Sequence, residues 1–157
     1  MGLLGALMTY LTQEGVRWSP AGDYGVESTW EVTPWPYDLI VHIGQAGEHD
    51  YVNIRAIGRK LGISRAEFGE DVYLRLLELL NRRNGELDVG FWTLIDGHIM
   101  FRHAYLASLA PPSDEVSLML GIPFRELENF VPALVSLLGG AATVEEAYAR
   151  VGSWVRD

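Results

Sequence analysis

The chain has 157 residues, 48% of them hydrophobic and 21% charged, a balance that fits one globular domain with a sizeable core. It contains no cysteine, which excludes disulfides, thiolate chemistry, zinc ribbons and iron–sulfur clusters. A formal net charge of −9 repels phosphate backbones, so direct nucleic-acid binding is disfavoured and a basic partner is favoured.

The opening residues, Met1 to Leu11, are apolar, but no Lys or Arg precedes Arg17, so the basic start of a signal peptide is missing. Ala6 stands where a myristoylation signal carries Ser or Thr. No other apolar run approaches the length of a membrane span. The expectation is a soluble, cytoplasmic protein without a membrane partner. Charge is unevenly spread: residues 55 to 83 carry +3, leaving −12 for the rest. The basic stretch is read as a solvated loop and helix face.

Leu3, Leu4, Leu7, Met8 and Leu11 recur at helical spacing and predict a helix over 2–14, closed by Gly15. The period then changes to two. Tyr24, Val26, Ser28, Trp30 and Val32 alternate with polar or small residues and predict a strand over 24–32. Pro34-Trp35-Pro36 breaks it. Tyr37 to Ile43 and 50–57 read as two further strands with short loops between them, as in an antiparallel meander. A helix is predicted from Asp71 to Arg83, with Val72, Leu76, Leu79 and Leu80 along one side, stopped by Asn84-Gly85. Strands over 89–95 and 98–105 flank Asp96-Gly97, a hairpin signal of the type I′ turn. Helices follow from Ser113, interrupted at Gly121 and Pro123 and kinked at Pro132. Thr143 and Glu146 form a capping box for a last helix running toward Trp154. The order is helix, three strands, helix, two strands, helices. It predicts an α+β fold with an antiparallel five-stranded sheet in one domain spanning 1–157.

Catalytic templates are absent: no GxGxxG, P-loop, HExxH, EF-hand or GxSxG pattern occurs. His98 and His103 share a strand but differ by five positions, so they point to opposite faces. The acidic pairs Glu70-Asp71, Asp114-Glu115 and Glu145-Glu146 sit at predicted helix starts, where the helix dipole accounts for them. No enzyme activity and no metal or organic cofactor is expected. The tryptophans raise a second possibility beside core filling, because aromatics are enriched at interface hot spots. Trp30, Trp35, Tyr37 and Trp92 are the candidate partner-binding residues, with Trp35 held on a stiff Pro-flanked segment.

The segment Leu76-Leu77-Glu78-Leu79-Leu80-Asn81-Arg82-Arg83-Asn84, followed by Phe91-Trp92-Thr93-Leu94-Ile95-Asp96-Gly97-His98-Ile99, resembles the YbjN family. That family shows a helix ending in a Leu-Leu-x-x-x-Asn pattern, a strand–Asp-Gly–strand hairpin, and a Ser-led helix start such as Ser113 to Val116. The resemblance runs from about residue 3 to 138. It implies a type III secretion chaperone-like fold, an acidic homodimer, and a chaperone-like or regulatory adaptor role without catalytic residues. The leading expectation is therefore a chaperone-like module holding a basic client, such as a DNA-binding or stress-response protein. One alternative is a regulatory adaptor in sensory or stress signalling. The other, of a different class, is a small-molecule-binding domain or enzyme with a pocket lined by Trp30, Trp92 and His42. Tyr73, Leu74 and Leu77 fall partly outside the sheet-facing stripe of their helix and are the candidate dimer interface.

Overall fold

A computed structural model describes residues 2–32, 35–46, 49–58, 63–108 and 111–152. The first helix, α1 (Leu3–Gln13), buries Leu3, Leu7 and Leu11, one residue per turn on a single face. Gly15 ends the helical segment at φ 69°, a conformation that costs a glycine nothing. The chain then makes four strands in succession: β1 (Trp18–Pro20), β2 (Gly25–Val32), β3 (Trp35–Ala46) and β4 (His49–Gly58). Two helices follow, the short α2 (Arg65–Phe68) and α3 (Glu70–Asn84). Next come the hairpin β5 (Phe91–Ile95) and β6 (His98–Ala107), then α4 (Ser113–Leu138) and α5 (Val144–Tyr148).

All neighbouring strands pair antiparallel, in the order β1-β2-β3-β4-β6-β5. The fold is α+β, as its element order requires. Where five strands were expected, the described residues form six. The extra strand, Trp18–Pro20, pairs only with β2 and forms one edge of the sheet. Three residues ending in proline carry no alternation to read, and an edge is where proline is tolerated. The expected hairpin is present: Asp96 (φ 50°) and Gly97 (φ 77°) both take the positive φ of a type I′ turn.

The largest departure is α4. It runs as one helix over 26 residues through Gly121 and Pro123, where an interruption was expected, and Pro132, where a kink was expected, lies inside it. Each proline removes one backbone hydrogen bond. The apolar stripe does not stop at either: Val116, Leu120, Leu127, Phe130, Leu134 and Leu137 are buried along it. Each such side chain contributes roughly 1.5–3 kcal/mol of burial, so the stripe outweighs the lost bonds. Thr143 and Glu146 cap α5 reciprocally, as expected. The Thr143 N–H, donating to the Glu146 carboxylate at 2.8 Å, holds that carboxyl below its ordinary range. The helix ends at Tyr148, and Trp154 lies outside the described residues.

One apolar cluster joins the helices to one face of the sheet. From the strands it takes Val26 and Val32, Tyr37, Leu39 and Val41, Val52, Ile54 and Ala56, Ile99 and Phe101, and Trp92. Within each strand these positions alternate, so they share one face. At its centre Trp92 lies against Phe101 and Phe130, with ring centroids 5.4 and 4.9 Å away. The Trp92 indole N–H donates to Glu126, which also accepts two hydrogen bonds from Arg83. The ion pair therefore ties α3, α4 and β5 together in the interior.

Candidate functional site

The alternate residues of the same strands face away from the helices. Ile40 and Ile57 belong neither to the core cluster nor to the residues packed against it. The register places this second face in rows. Glu27, Ile40, Arg55, Arg102 and Phe91 form one row across β2, β3, β4, β6 and β5. Thr29, Asp38, Ile57, Met100 and Thr93 form the next. On the other side of the first row stand His42, Asn53 and Ala104, followed by Gly44, Tyr51 and Leu106. No described helix lies on this face.

An uncovered sheet face ordinarily carries polar side chains. Here apolar side chains stand among the charged ones: Ile40 lies between Glu27 and Arg55 in its row, and Ile57 between Asp38 and Met100. Ile40, Ile57 and Met100 lie near its middle. Phe91, Ile95, Tyr51 and Leu106 are exposed around them, with Leu106 at 62%. Met100 is only 8% exposed although it takes no part in the core under the helices, so its shelter comes from its own face. Tyr51 sits beside Gly44. A Cβ there would come within 2.4 Å of its ring, so the glycine is the space the ring occupies.

The charge on this face is divided. A groove on the β1–β3 side is lined by Glu27, Glu31 and Asp38, with Arg17 the one basic residue among them. Glu27 accepts a hydrogen bond from Ser19 at 3.1 Å, and Asp38 accepts one from Thr29 at 3.3 Å. On the β4–β6 side, Arg55 and Arg102 stand directly opposite each other. Like charges at such a pair of positions are destabilising. Both Nε atoms are shielded from solvent and have no hydrogen-bond partner among the described residues. The Arg102 guanidinium lies 5.6 Å from the centre of the Phe91 ring.

The outer edge of β5 is not free for strand pairing along its whole length. The Asn84 side chain donates to the Trp92 carbonyl at 2.9 Å and accepts from the Trp92 N–H at 2.7 Å. One amide side chain thus takes the place of a neighbouring strand, which is a way of blunting an edge. This is the asparagine that ends the Leu-Leu-x-x-x-Asn pattern.

The residues singled out from the sequence fall in different places. Tyr37 and Trp92 are in the core, 0% and 2% exposed, and offer a partner no surface. Burial raises the Tyr37 hydroxyl pKa well above its ordinary value. Trp30 and Trp35 are half-buried on the helix-covered side, and the Trp30 ring centroid is 4.8 Å from that of Phe124. His42 lies on the opposite face of the sheet from Trp30 and Trp92, so these three do not line one pocket. Aromatic content pointed to the core because large rings bury the most area. What it missed is the second alternating set, Ile40, Ile57 and Met100. Their signal was apolar residues at positions where a one-sided sheet should be polar. The candidate dimer residues lie on α3. Leu74 and Leu77 are exposed, at 51% and 38%, and the Arg65 guanidinium covers Tyr73 at 4.9 Å from its ring centre.

Among the described residues, no group of three or more His, Asp or Glu side chains is placed to hold a metal ion. No described helix is long and apolar enough to cross a membrane. No protein-family model matches the chain, and no curated protein or solved structure matches it either.

Proposed function

We propose that this protein is a chaperone-like protein-binding module that holds an extended client segment on the open face of its sheet. The observation that carries the reading is the set of exposed apolar side chains, Tyr51, Phe91, Ile95 and Leu106, on a face that no described helix covers. Exposed apolar side chains gathered on one face and bordered by charged residues mark interaction sites. The acidic groove of Glu27, Glu31 and Asp38 beside it supports a basic client, as does the net charge of −9. Basic DNA-binding or stress-response proteins fit that chemistry. The YbjN resemblance, which implies a type III secretion chaperone-like fold, points to the same role. Strand addition at β5 is the less favoured mode, because Asn84 already occupies the backbone of Trp92. Side chains docking on the open face are favoured instead.

The role would be played as a homodimer in the cytoplasm, without a cofactor and without catalysis. Leu74 and Leu77 leave an apolar patch on the helix side, away from the client face, and pairing two copies there buries it. Regulation of a signalling partner would use the same surface and differs only in what the bound protein does. The test is suppression of aggregation. Reduced lysozyme, a basic unfolded protein, should be held in solution by the parent, and reduced α-lactalbumin, an acidic one, should be held less well. Ile40→Asp and Ile57→Asp should abolish the effect. Equal activity of these variants and the parent would remove the open face from the reading.

A further inference from the structure

We infer that Arg55 and Arg102 form a carboxylate anchor, and that the open face reads a client segment of the form basic–x–apolar–x–acidic. This rests on the open face being the client surface and names the chemistry that it selects.

The argument starts from an arrangement that folding alone does not favour. Two guanidiniums stand cross-strand to one another, half-buried, each with a shielded and unpartnered Nε. A shielded donor without an acceptor is costly, and so is the like-charge pairing. A carboxylate seated between the two guanidiniums offsets their like charge, and the shielded Nε atoms leave the outer nitrogens as the donors it meets. Guanidiniums bind carboxylates through paired, parallel hydrogen bonds, and a half-dry site strengthens them. Phe91 on one flank and Ile40 on the other form apolar walls along the row.

The spacing follows from the row itself, which runs Glu27, Ile40, Arg55, Arg102. Strands in a sheet lie about 4.8 Å apart, so Ile40 is about 5 Å from Glu27, Arg55 about 10 Å and Arg102 about 14 Å. An extended segment laid along this row advances about 3.3 Å per residue and turns every second side chain toward the sheet. A basic residue over Glu27 then places residue i+2, at about 7 Å, beside Ile40, and residue i+4, at about 13 Å, between the two arginines. The basic client and the cationic anchor are thus compatible: the client's positive charge lies on Glu27 and its carboxylate on the arginine pair.

A peptide array tests this. Peptides with the core Lys-Thr-Val-Thr-Glu in Gly/Ser flanks are compared with the same core ending in Gln, with the Glu moved one residue earlier, and with the Lys replaced by Gln. The parent should select the first, with the Gln and shifted forms bound about tenfold more weakly. Arg55→Gln and Arg102→Gln, each checked to melt no lower than the parent, should erase the preference for Glu over Gln. Glu27→Gln should erase the preference for Lys and leave that for Glu. Peptide binding with no preference for the carboxylate, or a preference that survives both arginine changes, would overturn the anchor and leave the protein-binding reading standing. Absence of peptide binding while unfolded lysozyme still cross-links to the open face would do the same. Absence of both would overturn the two together.

Discussion

Arg83 and Glu126 meet in the interior through two parallel hydrogen bonds of 2.8 and 2.6 Å, between a guanidinium 6% exposed and a carboxylate 0% exposed. Burial pulls the Arg83 pKa down, but its hydrogen bonds to Glu126, the attraction of that carboxylate and the contribution of Tyr148 together outweigh it, and the guanidinium stays charged. Glu126→Leu strands that charge and also unpairs the Trp92 indole. A loss of about 3–5 kcal/mol in unfolding free energy is expected by urea denaturation. Adding Arg83→Met should restore most of it, because the buried charge goes with its partner. A single substitution costing less than about 1 kcal/mol would show that the pair is not held as described.

Asn84→Ala should cost about 1–3 kcal/mol, since it leaves the backbone N–H and C=O of Trp92 without their partner. It should also open the β5 edge. Time-resolved light scattering at equal fraction folded should show faster self-association than the parent. An unchanged rate would mean that the edge is guarded by something else.

His103 is 6% exposed, and burial lowers its pKa below the ordinary value of 6.5. The folded state therefore resists protonation that the unfolded state accepts. The resulting stability is fully present above about pH 6.5 and declines as pH falls from there toward the folded pKa. His103→Gln should flatten that part of the stability-versus-pH curve, measured by denaturant midpoints between pH 7.5 and 5. An identical slope in parent and variant would remove His103 as its source.

Local signals were legible in the sequence and register was not. Asp96-Gly97 declared its turn because both positive φ values that the turn needs sit on the dipeptide itself. The capping box at Thr143 and Glu146 is equally local. Pro123 misled because its penalty is local, whereas the burial that overrides it runs along the whole of α4. Trp18–Pro20 was missed because β2 supplies its hydrogen bonds, not its own pattern. Arg55 and Arg102 lie far apart in the chain, and only the β4–β6 pairing sets them side by side. The open face became visible once its alternate residues could be followed across five strands.

Leu77→Glu should yield a monomer in light scattering across a dilution series, with the parent at twice the 17.5 kDa chain mass. A charge placed in a buried patch costs several kcal/mol, enough to dissociate a modest interface. A parent mass near 17.5 kDa at every concentration would contradict the dimer.

Photo-cross-linking reports most directly on where a client sits. A benzophenone side chain is placed at position 40, at 57, or at 118 on α4, where Leu118 is 67% exposed and away from the sheet. Each form is irradiated with reduced lysozyme and adducts are counted by gel and mass spectrometry. Adducts from positions 40 and 57, with none above background from 118, are the predicted result. Adducts from 118 at equal or greater yield would contradict the claim that the open face of the sheet holds the client.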